Sequence, residues 1–102
     1  MVSVIENWAQ LEGTVRTVRP DPERPDQLVA VVDVDAVEPV QDDEGKPFPN
    51  LFADAAGTSV ELHVPAAPAA DHELAPGRRI SARVKRTGPN RSFVHPQHLS
   101  VG

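Results

Sequence analysis

Eleven prolines are spread along the 102-residue chain, and together with six glycines they divide it into short segments. Proline is excluded from helix interiors and from central strands, because it lacks the backbone N–H group that both structures use. The chain must therefore consist of short elements joined by many turns. Only 39% of the residues are hydrophobic, so these elements have to share one compact core. The length is typical of one domain, and we assign residues 1–102 to a single domain.

Apolar and polar side chains alternate in five segments, as expected for strands that bury one face. The predicted strands are 11–18, 28–37, 58–64, 80–86 and 92–101, the last interrupted by Pro96. Gly13 predicts a bulge in the first strand. Pro68 and the Pro76-Gly77 pair bracket a short helix over 68–75, with Leu74 as its anchor. The pattern predicts a mostly β fold, a five-stranded barrel with one short helix between strands 3 and 4.

The predicted inward faces follow from the alternation in each strand. Their members are Leu11, Gly13, Val15 and Thr17 in strand 1; Leu28, Ala30, Val32, Val34 and Ala36 in strand 2; Val60, Leu62 and Val64 in strand 3; and Ile80, Ala82 and Val84 in strand 4.

Residues 38–57 form a long connection, which is unusual unless it serves a function or has structure of its own. Its Asp-Asp-Glu-Gly-Lys-Pro stretch resembles the tip of a hairpin. Phe48, Leu51 and Phe52 are expected to pin the connection to the barrel. If they face the solvent instead, they form an adhesive patch for another protein.

Charge is distributed unevenly along the chain. All 15 acidic residues lie between Glu6 and Glu73, whereas every charged residue in the last quarter of the chain is a lysine or an arginine. That asymmetry bears on partners rather than on the fold. Opposite charges on neighbouring strands are the plain alternative: Asp33 and Asp35 facing Arg83 and Lys85 would form a solvated charge ladder.

Two stretches resemble parts of the OB-fold, a small Greek-key barrel. Leu-Glu-Gly-Thr-Val at 11–15 is similar to its glycine-bearing first strand. Residues 74–84 are similar to the end of its helix, the following turn and its fourth strand. The likeness covers about residues 8–101. An SH3-like barrel and a small β-sandwich remain alternatives.

The resemblance implies binding of single-stranded nucleic acid or oligosaccharide across strands 2 and 3. Those strands carry Asp33, Asp35 and Glu61 here and have no aromatic residue. The attraction for a nucleic acid would therefore have to come from the basic C-terminal strands, with Phe93 and Phe52 as stacking rings. The predicted ligand-binding residues are Arg78, Arg79, Arg83, Lys85, Arg86, Arg91, Phe93 and Phe52.

The residues required for catalysis or metal binding are not arranged in a recognisable motif. The chain has no cysteine, which excludes disulfides and thiolate sites. His63, His72, His95 and His98 are scattered, and Pro96 disfavours a chelating helix at His95–His98. No serine lies in a nucleophile elbow, and no glycine loop could hold a phosphate. We expect no cofactor, no bound metal and no enzymatic activity.

A non-catalytic binding module is therefore the predicted function. Single-stranded nucleic acid is the first candidate ligand. The alternative is an acidic protein-interaction or accessory barrel that uses the connection 38–57. Residues 1–6 lack the features of a signal peptide, and no apolar run approaches the roughly 20 residues of a membrane span. We expect a cytoplasmic protein without a membrane partner, and the frequent Ala, Val, Pro, Asp and Arg residues favour a bacterial source.

Overall fold

Five strands and one helix make up the computed structural model, which describes residues 7–48, 52, 54–88 and 91–102. The elements in chain order are β1 (Ala9–Pro20), β2 (Gln27–Pro39), β3 (Ser59–Pro65), α1 (Ala66–Asp71), β4 (Arg79–Gly88) and β5 (Arg91–Val101). The mostly β fold with one short helix between the third and fourth strands is confirmed. Every predicted strand is present, and each extends close to a proline or glycine at one or both ends.

The strands form a closed barrel in the order β1-β2-β3-β5-β4. Four of the five interfaces are antiparallel. The barrel is closed by β3 and β5, which run parallel and are joined in register at His63 and Phe93. Parallel neighbouring strands need a crossover connection. Between β3 and β5 this connection consists of α1 and β4.

The core lies inside the barrel and contains most of the predicted inward residues, together with Phe52 from the long connection. Its largest fully buried side chains are Phe52, Leu11, Leu62, Ile80, Val15, Val32, Val64 and Val84. One predicted inward residue, Thr17, is exposed. The register shifts between Val15 and Thr17, so Arg16 is an extra residue in β1 and the alternation does not continue past it.

A second register shift lies between Glu12 and Gly13, as the glycine predicts, but the extra residue is Asp35 of β2, because Glu12 pairs with Ala36 and Gly13 with Val34. A Cβ atom at Gly13 would lie 2.8 Å from Cγ1 of Val32 and would also clash with the backbone oxygen of Asp33. Only glycine allows β1 and β2 to approach this closely.

The helix begins earlier in the chain than the predicted 68–75. It starts immediately after Pro65, and Pro68 lies in its first turn, where a missing N–H costs no helical hydrogen bond. Glu73, with a φ of 55°, follows the end of the helix in a left-handed conformation. Leu74 therefore lies after the helix rather than in it, although it packs against the core.

The long connection contributes to the core. Gln41 and Pro47 form a β-bridge, and one carboxylate oxygen of Asp42 accepts hydrogen bonds from the backbone N–H groups of Glu44 and Lys46, both at 2.9 Å. This is the predicted hairpin tip, hereafter the acidic hairpin (residues 41–47). Further along, Phe52 is only 1% exposed, as expected for a residue that pins the connection to the barrel. Leu51 lies outside the described residues.

No helix in the described part of the chain is both long and apolar enough to cross a membrane.

Candidate ligand-binding surface

Most arginines of the described residues are paired with carboxylates on the barrel surface. Arg16 lies 2.9 Å from Asp33 and Arg19 lies 3.3 Å from Glu61. Arg79 pairs with Asp35. Arg91 and Arg78 reach Glu23 and Glu73 at 3.1 and 3.7 Å. Exposed pairs of this kind contribute little to stability, but they neutralise the surface locally.

The charge ladder expected between Asp33 or Asp35 and Arg83 or Lys85 is therefore wrong. The barrel places β1, rather than β4, beside β2, and Arg16 on β1 reaches Asp33. Arg79, at the start of β4, reaches Asp35, because β4 runs antiparallel to β1. Arg83 and Lys85 lie further along β4.

Three cations of β4 have no carboxylate within 4.0 Å in the described part of the chain, namely Arg83, Lys85 and Arg86. Lys85 projects outward, because Val84 beside it is fully buried. Its ammonium nitrogen lies 5.5 Å from the centre of the Trp8 ring, within the range of a cation–π interaction. The positive charge of the C-terminal strands is thus concentrated on the second half of β4.

Aromatic and imidazole rings lie near Lys85 and Arg83 on the outside of the barrel. His63 stacks on Phe93 with ring centres 5.0 Å apart. Trp8 and His95 are 5.1 Å apart, and His95 and His98 are 4.6 Å apart. Lys85 connects the two groups, because it lies opposite Phe93 in register and over Trp8. We call these five rings the ring row.

His95 and His98, at one end of the ring row, lie in an irregular part of β5. Val94 pairs with Val84, but the next paired residue on β5 is Leu99, opposite Ala82. Residues 95–98 therefore form a wide bulge within β5 opposite Arg83, in line with the predicted interruption at Pro96. Desolvation and the positive charges of Arg83 and His95 lower the pKa of His98, so its imidazole favours the neutral form.

The β1–β2 loop supports the other end of the ring row. Asp21 is buried, and its carboxylate lies 3.0 Å from Nδ1 of His63. The same carboxylate accepts a hydrogen bond from the backbone N–H of Glu23 at 2.9 Å. This hydrogen bond, more than His63, lowers the pKa of Asp21. The guanidinium of Arg24 lies 5.6 Å above Phe93. His63 and Phe93 are thus held in place from the loop side.

A cavity of about 260 Å³ opens where the acidic hairpin meets the ring row. Trp8, Phe48 and His95 line it together with Arg83, and Asp42 and Asp43 lie on the hairpin side. Nε of Arg83 is buried without a hydrogen-bond partner in the described residues. The cavity combines apolar ring faces with charges of both signs.

The structure separates the predicted site residues into three groups. Arg78, Arg79 and Arg91 are engaged in ion pairs. Arg83, Lys85 and Phe93 lie together on the outer face of β4 and β5. Arg86 points into the barrel mouth, and Phe52 is buried beneath it, so Phe52 is not accessible for stacking with a base.

Sequence reasoning missed Trp8, His63, His95 and His98 as members of the surface. Trp8 precedes the first strand, where the spacing of the apolar residues fits either a helical face or a lead-in strand, and a lone tryptophan usually packs in the core. His63 and Phe93 are far apart in sequence, and only the parallel closure of the barrel brings them together. Within the described residues, no group of three or more His, Asp or Glu could hold a metal ion.

Comparisons with protein-family models, curated proteins and solved structures found no match to this chain.

Proposed function

We propose that the chain is a non-catalytic binding module that binds single-stranded nucleic acid on the outer face of β4 and β5. The observation that carries this proposal is the ring row interleaved with Lys85 and Arg83, two cations that no carboxylate neutralises within the described residues. Single-strand binders combine stacking rings for the bases with positive charges for the phosphates. We also infer a barrel of the OB type, which the strand order and the position of α1 support.

The charge pattern favours this face over β2 and β3. On those strands Asp33 and Glu61 are exposed and held by arginines of β1, so their local charge is balanced. The face around Lys85 keeps a positive charge, which attracts phosphate groups at low ionic strength. Asp42 and Asp43 repel phosphate at the hairpin end, so the strand is expected to run along Phe93, Lys85 and Trp8.

The test is binding of a labelled oligothymidylate of about 15 nucleotides, followed by fluorescence anisotropy at several salt concentrations. Lys85→Gln should weaken binding and make it less dependent on salt, with a slope lower by about 0.7. Phe93→Leu keeps an apolar side chain but loses the ring, and should weaken binding about fivefold or more. Arg16→Gln is the control, because it removes the same charge from an exposed pair on β1.

Trp8 provides a second readout, since it is the only tryptophan. Its emission should be quenched when a base stacks against the ring row. Absence of binding at about 50 mM salt would refute the proposal. Equal losses in Lys85→Gln and Arg16→Gln would show attraction to net charge only, without a specific face.

The acidic hairpin favours a second candidate, a protein-interaction module. Asp43, Glu44 and Lys46 are exposed at its tip, and the hydrogen bonds to Asp42 fix their backbone. A protein partner bound there should be lost in the double variant Asp43→Lys, Glu44→Lys, while oligonucleotide binding by the same variant is retained or strengthened. Retention of the partner by this variant would exclude the hairpin as its contact.

A further inference from the structure

A second cavity lies at the mouth of the barrel, where β3 faces the end of β4 and the start of β5. Its volume is about 320 Å³, and it is lined by Ser59, Val60, Glu61, Arg86 and Ser92. It exists because β3 and β5 are joined in register at His63 and Phe93, near the far end of β3. Among the described residues, the first half of β3 therefore pairs with β2 and has no paired strand on the side towards β4 and β5.

Arg86 points into this cavity from β4. Ile80, Ala82 and Val84 are buried in the barrel. Arg86 is the next residue in this alternation, so its side chain lies on the same face of β4. Its register partner on β5 is Ser92, which is 5% exposed. An arginine at an inward position is unusual, because apolar side chains normally fill the inside of a small barrel.

The position of Arg86 is fixed on two sides. The side-chain amide of Asn7 donates to the Arg86 carbonyl oxygen at 2.9 Å and accepts from the Arg86 backbone N–H at 2.7 Å. Asn7 is 4% exposed, so this contact is shielded from water. The guanidinium carbon lies 5.0 Å from the centre of the buried Phe52 ring. Asn7 thus fixes the backbone of Arg86, and Phe52 supports its guanidinium before any ligand arrives, which lowers the entropic cost of binding.

The guanidinium of Arg86 is incompletely satisfied. Its Nε is buried without a hydrogen-bond partner in the described part of the chain, and a buried donor left in this state is costly. Two carboxylates near the cavity rim are engaged elsewhere. Glu61 pairs with Arg19 at 3.3 Å, and Asp33 accepts a hydrogen bond from the Ser59 hydroxyl at 2.6 Å.

We propose that this cavity binds a phosphoryl group or a similar oxyanion through Arg86 and Ser92. A planar guanidinium with free donors matches the oxygens of such a group, and the Ser92 hydroxyl supplies a further donor. The volume accommodates a phosphoryl group with its attached ester. Its source is either free inorganic phosphate or the terminal phosphate of an oligonucleotide, and the experiment separates the two.

The first arm uses inorganic phosphate, which does not depend on nucleic-acid binding. Sodium phosphate is titrated into 15N-labelled protein against sodium chloride at matched ionic strength, and the NMR signals of the Arg86 Nε–H group and of the Ser92 amide are followed. Saturable shifts with phosphate, absent with chloride, support the site. Unsaturable or equal shifts with both salts overturn it, and they would do so even if oligothymidylate binds to the ring row.

Variants separate the cavity from general charge. Arg86→Met keeps an unbranched side chain over Phe52 and should raise the dissociation constant for phosphate by about tenfold or more. Ser92→Ala changes less of the core and should raise it by a smaller factor, so it tests the site even if Arg86→Met does not fold. Arg78→Gln removes a charge from the exposed pair with Glu73, neither of which lines the cavity, and should leave the constant within about twofold. The proposal is refuted if Ser92→Ala leaves the dissociation constant for phosphate unchanged and Arg86→Met, where it folds, leaves it unchanged as well.

The second arm compares oligothymidylate with and without a 5′-phosphate. Tighter binding of the phosphorylated strand that is lost in Ser92→Ala assigns the terminal phosphate as the ligand. Equal binding of both strands, with the phosphate titration of the first arm still saturable, assigns free phosphate.

Discussion

At the scale of single residues, Gly13 decides how closely β1 approaches β2. Substitution by alanine would push a methyl group against the backbone oxygen of Asp33 and against Val32, 2.8 Å from its Cγ1 atom. We expect Gly13→Ala to lower the free energy of unfolding by about 1–3 kcal/mol, because neither neighbour can give way without moving a buried strand. Urea denaturation measures the change.

Gly102→Ala is the matched control, because its Cβ would meet only the Cβ of Arg79 at 4.0 Å. Its effect should stay within about 0.5 kcal/mol. Equal stability of the two variants would mean that the bulge relaxes and that the glycine is not required there.

A second prediction at the residue scale concerns the contribution of Asp21 to stability at low pH. The hydrogen bond from Glu23 and the contact with His63 lower the pKa of Asp21 below that of an unfolded aspartate, which is about 3.9. The folded state therefore binds fewer protons than the unfolded state in this range, so the contribution of Asp21 to stability is present above about pH 4 and is lost as the pH falls through the lowered pKa. Asp21→Asn should lose less stability than the wild type over that interval.

Thermal unfolding between neutral pH and about pH 3 provides the comparison. Asp43→Asn removes an exposed carboxylate from the acidic hairpin and controls for the lost charge. If Asp21→Asn and the wild type decline in parallel below about pH 4, the Asp21 carboxylate, with its hydrogen bond from Glu23 and its contact with His63, does not contribute as argued.

These residue contacts differ in how far the sequence reveals them. The bulge at Gly13 could be predicted, because glycine weakens an alternating strand and is found there chiefly at bulges and close backbone approaches. The pair of Asp21 and His63 could not, since the two residues are 42 positions apart and meet only after β2 and β3 have paired. Asn7, whose amide holds Arg86, is likewise 79 positions away from it.

At the scale of elements, the long connection after β2 is part of the core. Phe52 is among the largest fully buried side chains, and Ala55 and Val40 are also buried. Removing residues 40–56 would therefore remove core packing together with the acidic hairpin. Substitution of individual side chains is the informative approach to this segment.

Phe52→Ala should lower the free energy of unfolding by about 3–5 kcal/mol, because it leaves a cavity beneath Arg86. Phe48→Ala is the comparison, since Phe48 is half-buried and should cost clearly less. Equilibrium denaturation of the two variants gives both values. A smaller loss for Phe52→Ala than for Phe48→Ala would contradict the assignment of Phe52 to the core.

The strands are predictable from their alternation, whereas their ends and the helix are less so. Alternation fixes which side chains point inward, and Val32, Leu62 and Val84 are all fully buried as expected. It cannot detect the extra residue at Arg16, because a bulge leaves no compositional trace when the residue is polar. The predicted start of the helix at Pro68 is wrong because proline is tolerated throughout the first turn, so its position does not fix the first helical residue.

At the scale of the whole molecule, pairing between strands decides which charges remain free. The sequence shows a basic C-terminal quarter, but it does not show the register. In the barrel, Arg79 and Arg91 are neutralised by carboxylates from distant segments, while Lys85 and Arg83 remain beside the ring row. The sequence therefore predicts only a set of candidate cations. The register of the strands determines which of these cations lie beside the ring row.

The closure of the barrel is uneven, and this leads to the last prediction. Residues Ala9–Thr14 of β1 pair with β2 on one side and with β4 on the other. In the part of the chain that the structure describes, the first half of β3, residues 59–62, pairs with β2 alone, beside the cavity that Arg86 enters. Amides that face such an open side can exchange through local opening, whereas those in the centre of β1 require global unfolding.

Hydrogen exchange followed residue by residue should therefore show faster exchange at 59–62 and 91–92 than at 9–14. Inorganic phosphate should slow exchange at the first two segments if it occupies the cavity, because a ligand that binds only the closed form stabilises that form. The amides of 9–14 serve as the internal reference, since opening there reports the global stability. Uniform exchange across all three segments would mean that β3 and β5 open only when the whole barrel unfolds, and would contradict the lower protection argued for the side of β3 that faces the cavity.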